Sequence, residues 1–81
     1  MSTLTVIDHR AQKIKVTPKD LIVYFFDGRR LEVPLSWFPK LAKASPRQRN
    51  KYQLIGNGVG IHWLDIDEDL SINGLLGLET D

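Results

Sequence analysis

The sequence predicts an α+β fold: a small antiparallel sheet of four to five strands with one main helix and short helical turns. Three observations predict it. Asp27-Gly28 separates two β-prone runs, Leu21 to Phe26 and Arg29 to Val33, as a hairpin turn does. A second pair of β-prone runs, Tyr52 to Ile55 and Gly60 to Leu64, flanks Gly56-Asn57-Gly58. Between the pairs, Ser36 with Pro39 in the following turn, and Ser45 directly before Pro46, give the pattern of helix starts.

Taken in order, Leu4 to Ile7 is a short β-prone run, and Asp8 to Gln12 reads as a polar connection. Ile14-Lys15-Val16-Thr17 alternates as a half-buried strand, and Pro18 ends it because proline offers no amide to a ladder. At Asp27-Gly28 a two-residue type I′ turn is expected, which sets Tyr24 opposite Leu31 and Ile22 opposite Val33. One hairpin face then carries Ile22, Tyr24, Phe26, Leu31 and Val33, the expected core. The other carries Val23, Phe25, Arg30 and Glu32. Pro34 ends the hairpin. Ser36 is expected to cap the main helix, with Pro39 in its first turn and Lys40 and Lys43 turned outward. Ser45-Pro46 starts a second helical turn. After the strand pair, Asp65 to Asp69 reads as an exposed acidic run. Asp69 or Ser71 caps a last turn through Leu76, stopped by Gly77.

The 81 residues make one domain, 1–81, with 79–81 expected to fray. There is no cysteine, so packing rather than disulfide or thiolate-zinc staples must hold the fold. Trp37 and Trp63 are expected in the core of so small a chain. Neither a signal-peptide pattern nor an apolar run long enough for a membrane helix is visible, so a cytoplasmic protein with no membrane partner is expected. The formal net charge is +1, but it is unevenly laid out. Residues 1–51 hold all eleven Lys and Arg and four acids, a balance of +7; residues 52–81 hold six acids and no Lys or Arg, a balance of −6. The two halves either neutralise each other on one surface or form separate binding faces.

Candidate chemistry is sparse. The run Asp65-Ile66-Asp67-Glu68-Asp69 lacks the alternating ligands and central glycine of a calcium loop and reads as solvated turn residues. His9 and His62 have no second His or Cys at ligand spacing. His62 points opposite to Ile61 and Trp63, where a nearby carboxylate would make it a general base. Gly56 to Gly60 is followed by a strand, not the helix a phosphate loop needs. The stretch Lys40 to Lys51 carries Lys40, Lys43, Arg47, Arg49 and Lys51 without an acid. It suits phosphates electrostatically but offers no reading helix and no evenly spaced aromatics. An exposed tryptophan, if there is one, becomes the leading partner anchor.

Several motifs in order carry a resemblance. They are Asp27-Gly28-Arg29, Val33-Pro34-Leu35-Ser36-Trp37-Phe38-Pro39-Lys40-Leu41, Ala44-Ser45 with Arg49, Gly60-Ile61-His62-Trp63, and Asp67-Glu68-Asp69-Leu70-Ser71 with Gly74-Leu75-Leu76. Over residues 15–78 the chain resembles the bacterial family called domain of unknown function 2442. It departs from the pattern in having Leu64 where a proline is expected after the tryptophan, and Lys40 where arginine is common. The resemblance implies a small α+β fold and a bacterial or phage setting. It also implies a gene neighbour encoding another small protein, an arrangement similar to toxin–antitoxin pairs. It implies no catalytic residues.

The sequence therefore points first to a noncatalytic interaction module, antitoxin-like, that binds a small partner protein and needs no cofactor. Second is a nucleic-acid-associated or transcriptional accessory protein using the basic 29–51 region: Arg29, Arg30, Lys40, Lys43, Arg47 and Arg49. Third is a metal or acid/base site around His62 with Asp65, Asp67, Glu68 or Asp69. A homodimer paired through edge strands is also expected.

Overall fold

The structure, a computed structural model, describes residues 9–77. The strand expected over 4–7 and the tail expected over 79–81 lie outside the described residues. Strands β1 (Ala11–Val16), β2 (Asp20–Phe25) and β3 (Arg30–Pro34) form one antiparallel sheet in that order. A 3-10 turn (Leu35–Trp37) leads into helices α1 (Pro39–Lys43) and α2 (Pro46–Arg49). Strands β4 (Tyr52–Ile55), β5 (Gly60–Trp63) and β6 (Glu68–Ser71) form a second antiparallel sheet, followed by α3 (Ile72–Leu75). The α+β class holds, but the expected single sheet of four to five strands is instead two sheets of three. β6 was hidden because Glu68-Asp69 has poor strand propensity; its pairing with β5 overrides that preference.

The expected main helix is also absent: its residues form the 3-10 turn and the five-residue α1, and α2 and α3 are turns of four residues each. Proline explains the punctuation. The residue before a proline is steered out of the α region, so Phe38 (ψ 84°) and Ser45 (ψ 160°) break the helical run ahead of Pro39 and Pro46. Ser36 accordingly lies inside the 3-10 turn and caps nothing. Ser45 does cap: its hydroxyl accepts the Gln48 amide at 3.2 Å while the Gln48 side chain accepts the Ser45 amide at 3.0 Å. Ser71 caps α3 in the same way, accepting the Gly74 amide at 2.8 Å.

The first hairpin reverses at the expected place with a different loop. Phe25 N–H donates to Arg29 O at 2.9 Å, and Gly28 N–H donates to Phe25 O at 3.1 Å. Gly28 takes φ +93°, whereas Asp27 stays out of the positive region that a type I′ turn requires of it. The loop thus has three residues, a turn closed by a glycine bulge. The register moves by one: Leu21 pairs with Val33, Ile22 with Glu32, Val23 with Leu31, and Tyr24 with Arg30. β3 keeps its expected orientation, with Val33 buried and Arg30 and Glu32 outside. β2 is turned over. Leu21, Val23 and Phe25 are buried, while Ile22 and Tyr24 face away from the core and Phe26 is 53% exposed. The expected core face of Ile22, Tyr24 and Phe26 is therefore corrected. Both faces of β2 are apolar, so burial alone does not choose between them, and loop length decides.

The inner faces of the two sheets meet in one core. Ala11, Ile14, Leu21, Val23 and Phe25 from the first sheet join Ile61 and Trp63 from the second, closed by Leu35, Leu41 and Ile72. Two polar contacts tie the sheets together where β1 would otherwise present a free edge. The Tyr52 hydroxyl accepts Ile14 N–H at 3.4 Å and donates to Ile14 O at 3.3 Å. The Ala11 N–H donates to Gly58 O at 2.7 Å. Gly56 and Asn57 both have positive φ (59° and 61°), so the type I′ requirement expected at Asp27-Gly28 is met in the second hairpin instead.

Candidate interaction surface

Trp37 comes to the surface because of the 3-10 turn. Leu35 is buried and Phe38 packs against the core, which leaves Ser36 and Trp37 outside. Trp37 is 66% exposed, whereas Trp63 is fully buried with its indole N–H donating to Arg49 O at 3.0 Å. The expectation that both tryptophans are core is thus half right.

The six basic candidates separate by what they do. Arg49 is structural: its Nε and Nη2 donate to Leu41 O at 3.1 Å and Ala42 O at 2.8 Å, satisfying carbonyls at the end of α1. Arg29 pairs with Asp27 at 2.9 Å and lies over the Phe25 ring at 5.4 Å. Arg30 pairs with Glu32 along the same strand at 3.2 Å. Lys40 Nζ donates to Asp67 O at 3.2 Å, tying α1 to the β5–β6 turn. Lys43 and Arg47 are exposed on α1 and α2. The structure does not gather the six into one patch. Arg29 and Arg30 belong to the first sheet, the others to the helical connection.

On the second sheet, His62 lies in a cross-strand row between Gln53 and Asp69. Its Nδ1 is hydrogen-bonded to Asp69 Oδ1, so the carboxylate sought beside His62 is present. The pair is a cross-strand polar contact on the face of the second sheet. Asp67 takes φ +50° in the β5–β6 turn, and Glu68 sits opposite Trp63 at the start of β6. Asp65 pairs with Lys51 at 3.4 Å. Among the described residues no three His, Asp or Glu side chains converge as metal ligands, and no helix is long and apolar enough to cross a membrane.

The sequence reading missed the outward face of the first sheet. Lys13, Tyr24 and Arg30 form one cross-strand row there, and Lys15, Ile22 and Glu32 the next. Lys13 Nζ lies 5.0 Å from the centre of the Tyr24 ring. Beyond the end of β2, Arg10 lies 5.2 Å over the Phe26 ring. Arg10 and Phe26, but not the Lys13–Tyr24–Arg30 row, line a cleft of about 310 Å³ with Gln12, Leu54 and Asn57. The alternation of Lys13 and Lys15 in β1 was a readable signal; the matching face of β2 was not.

Fold and sequence together define a small α+β domain without cysteine, built of two three-stranded antiparallel sheets and three short helices. The chain belongs to the family described as Protein of unknown function (DUF2442), whose model matches residues 11–81. The chain is also similar to a protein of unknown function from Rhodospirillum rubrum ATCC 11170 known from its crystal structure. The two are 31% identical, with a TM-score of 0.72 over 84% of each chain. No curated protein matches.

Proposed function

We propose that this domain is a noncatalytic interaction module that binds a small partner protein in an antitoxin-like pairing, with Trp37 as its anchor. The single observation that carries the reading is the exposure of Trp37 in a chain that buries its other tryptophan completely. Large aromatics are the residues on which interface energy concentrates. Covering the open ring of Trp37 would contribute on the order of 2 kcal/mol or more. Lys40, Lys43 and Arg47 follow Trp37 in the chain and bring positive charge to that region, which favours an acidic partner surface.

Co-expression with the product of the adjacent gene tests this. A stable complex that co-purifies with the wild-type chain and is lost in Trp37→Ala, with the melting temperature unchanged, is the expected outcome. A complex indifferent to Trp37→Ala removes the anchor, and no complex at all removes the reading.

A further inference from the structure

We infer that the outward face of the first sheet binds single-stranded nucleic acid. This goes beyond the Trp37 reading and uses a different surface. Tyr24 stands on the central strand with Lys13 on one side and Arg30 on the other in the same cross-strand row. Lys15 projects from the same face one row away. A second aromatic, Phe26, stands in the turn just past the end of β2, with the Arg10 guanidinium over its ring.

A flat aromatic between two cations matches a base on its π-face and phosphates to either side, the arrangement by which sheets hold single strands. The occupying contacts are weak ones. Lys13 lies over Tyr24 in the open, and the Arg30–Glu32 pair is exposed on both sides. A phosphate that draws Lys13 away uncovers the Tyr24 ring for stacking. The face has no projecting helix to enter a major groove, so a duplex would touch the cations but not the aromatics. An acidic protein would meet the cations too, but it brings no row of bases to stack on the Tyr24 ring.

The test is an anisotropy titration of the full chain with a labelled single strand of about twelve nucleotides, a length within the usual site size. The same sequence as a duplex and a polyglutamate peptide of similar charge serve as competitors. The single strand is expected to bind at low salt and to be displaced poorly by either competitor. Tyr24→Ala is expected to weaken binding about tenfold. A Lys13→Gln, Lys15→Gln variant changes two exposed side chains and keeps the fold. It is expected to flatten the logarithmic salt dependence by about 0.7 for each lysine that contacts phosphate. No binding at low salt overturns the inference. So does equal displacement by duplex or polyglutamate, or a lysine variant that binds like the wild type.

Discussion

Gly58 shows most directly how one residue holds this molecule together. Its carbonyl accepts the Ala11 amide, and a Cβ added to it would lie 2.3 Å from Ala11 O and 2.8 Å from Ala11 N. It also takes φ +96°. Gly28 has nearly the same φ but open space around it. The comparison separates backbone strain from collision. Gly28→Ala is expected to cost about 1–2 kcal/mol, the left-handed penalty alone. Gly58→Ala adds the displacement of β1 from the second hairpin and is expected to cost roughly 3 kcal/mol or more. Chemical denaturation of the two variants checks the order, and equal losses would show that the Ala11 contact carries no weight. The tryptophans give a second contrast. Trp63→Ala empties the centre of the core and leaves the Arg49 carbonyl without its donor, a loss of about 3–5 kcal/mol. That is enough to unfold much of a population in a domain whose whole stability is of order 5–15 kcal/mol. Trp37→Ala is expected to stay within about 0.5 kcal/mol of the wild type, as a residue kept for contact rather than packing would.

Among the elements, β1 is the one whose edge is managed by a side chain. The Tyr52 hydroxyl on β4 serves both the N–H and the C=O of Ile14, which would otherwise face outward unpaired. Tyr52→Phe keeps the ring in place and removes that bridge. The expected loss is about 1 kcal/mol, read as a lower urea midpoint with an unchanged slope. An unchanged midpoint would mean that water replaces the hydroxyl at no cost. On β3 the opposite edge is shortened by Pro34, which has no amide to offer a partner strand. On the first sheet, edge pairing between two copies would therefore meet a side-chain contact on β1 and a proline on β3, whereas the second sheet has its own outer strands, β4 and β6. The elements with local chemical signals were legible: the reversal near Gly28, the Gly56-Asn57 turn, the Ser45-Pro46 helix start, the Gly77 stop. What failed was decided by geometry beyond the local residues. Asp-Gly serves a two-residue or a three-residue loop equally well, and Leu21-Ile22-Val23-Tyr24-Phe25-Phe26 is apolar on both faces, so nothing in the chain itself told which side was core. That one-residue shift moved Tyr24 outward and hid the Lys13–Tyr24–Arg30 row. β6 was unreadable for the converse reason, since its acidic residues form a strand only because β5 supplies a partner.

At the scale of the whole molecule, the charge asymmetry of the sequence becomes a spatial one. The basic half forms the first sheet and the α1–α2 connection, and the acidic half forms the second sheet and its turns. The outward face of the first sheet carries Lys13, Lys15 and Arg30, and the second sheet carries Asp69 with His62. Among the described residues Lys51–Asp65 is an exposed ion pair that joins the two halves. A chain of net charge +1 organised this way should behave as a more basic protein than its sum implies. It is expected to bind a cation-exchange matrix at neutral pH and to elute at distinctly lower salt when Lys13 and Lys15 are both changed to Gln. Changing Lys43 and Arg47 to Gln, which alters net charge equally but on the helical connection, should shift elution less if the first sheet is the face that docks. Equal shifts for the two pairs would mean that the matrix reads total charge, and that the outward sheet face has no electrostatic character of its own.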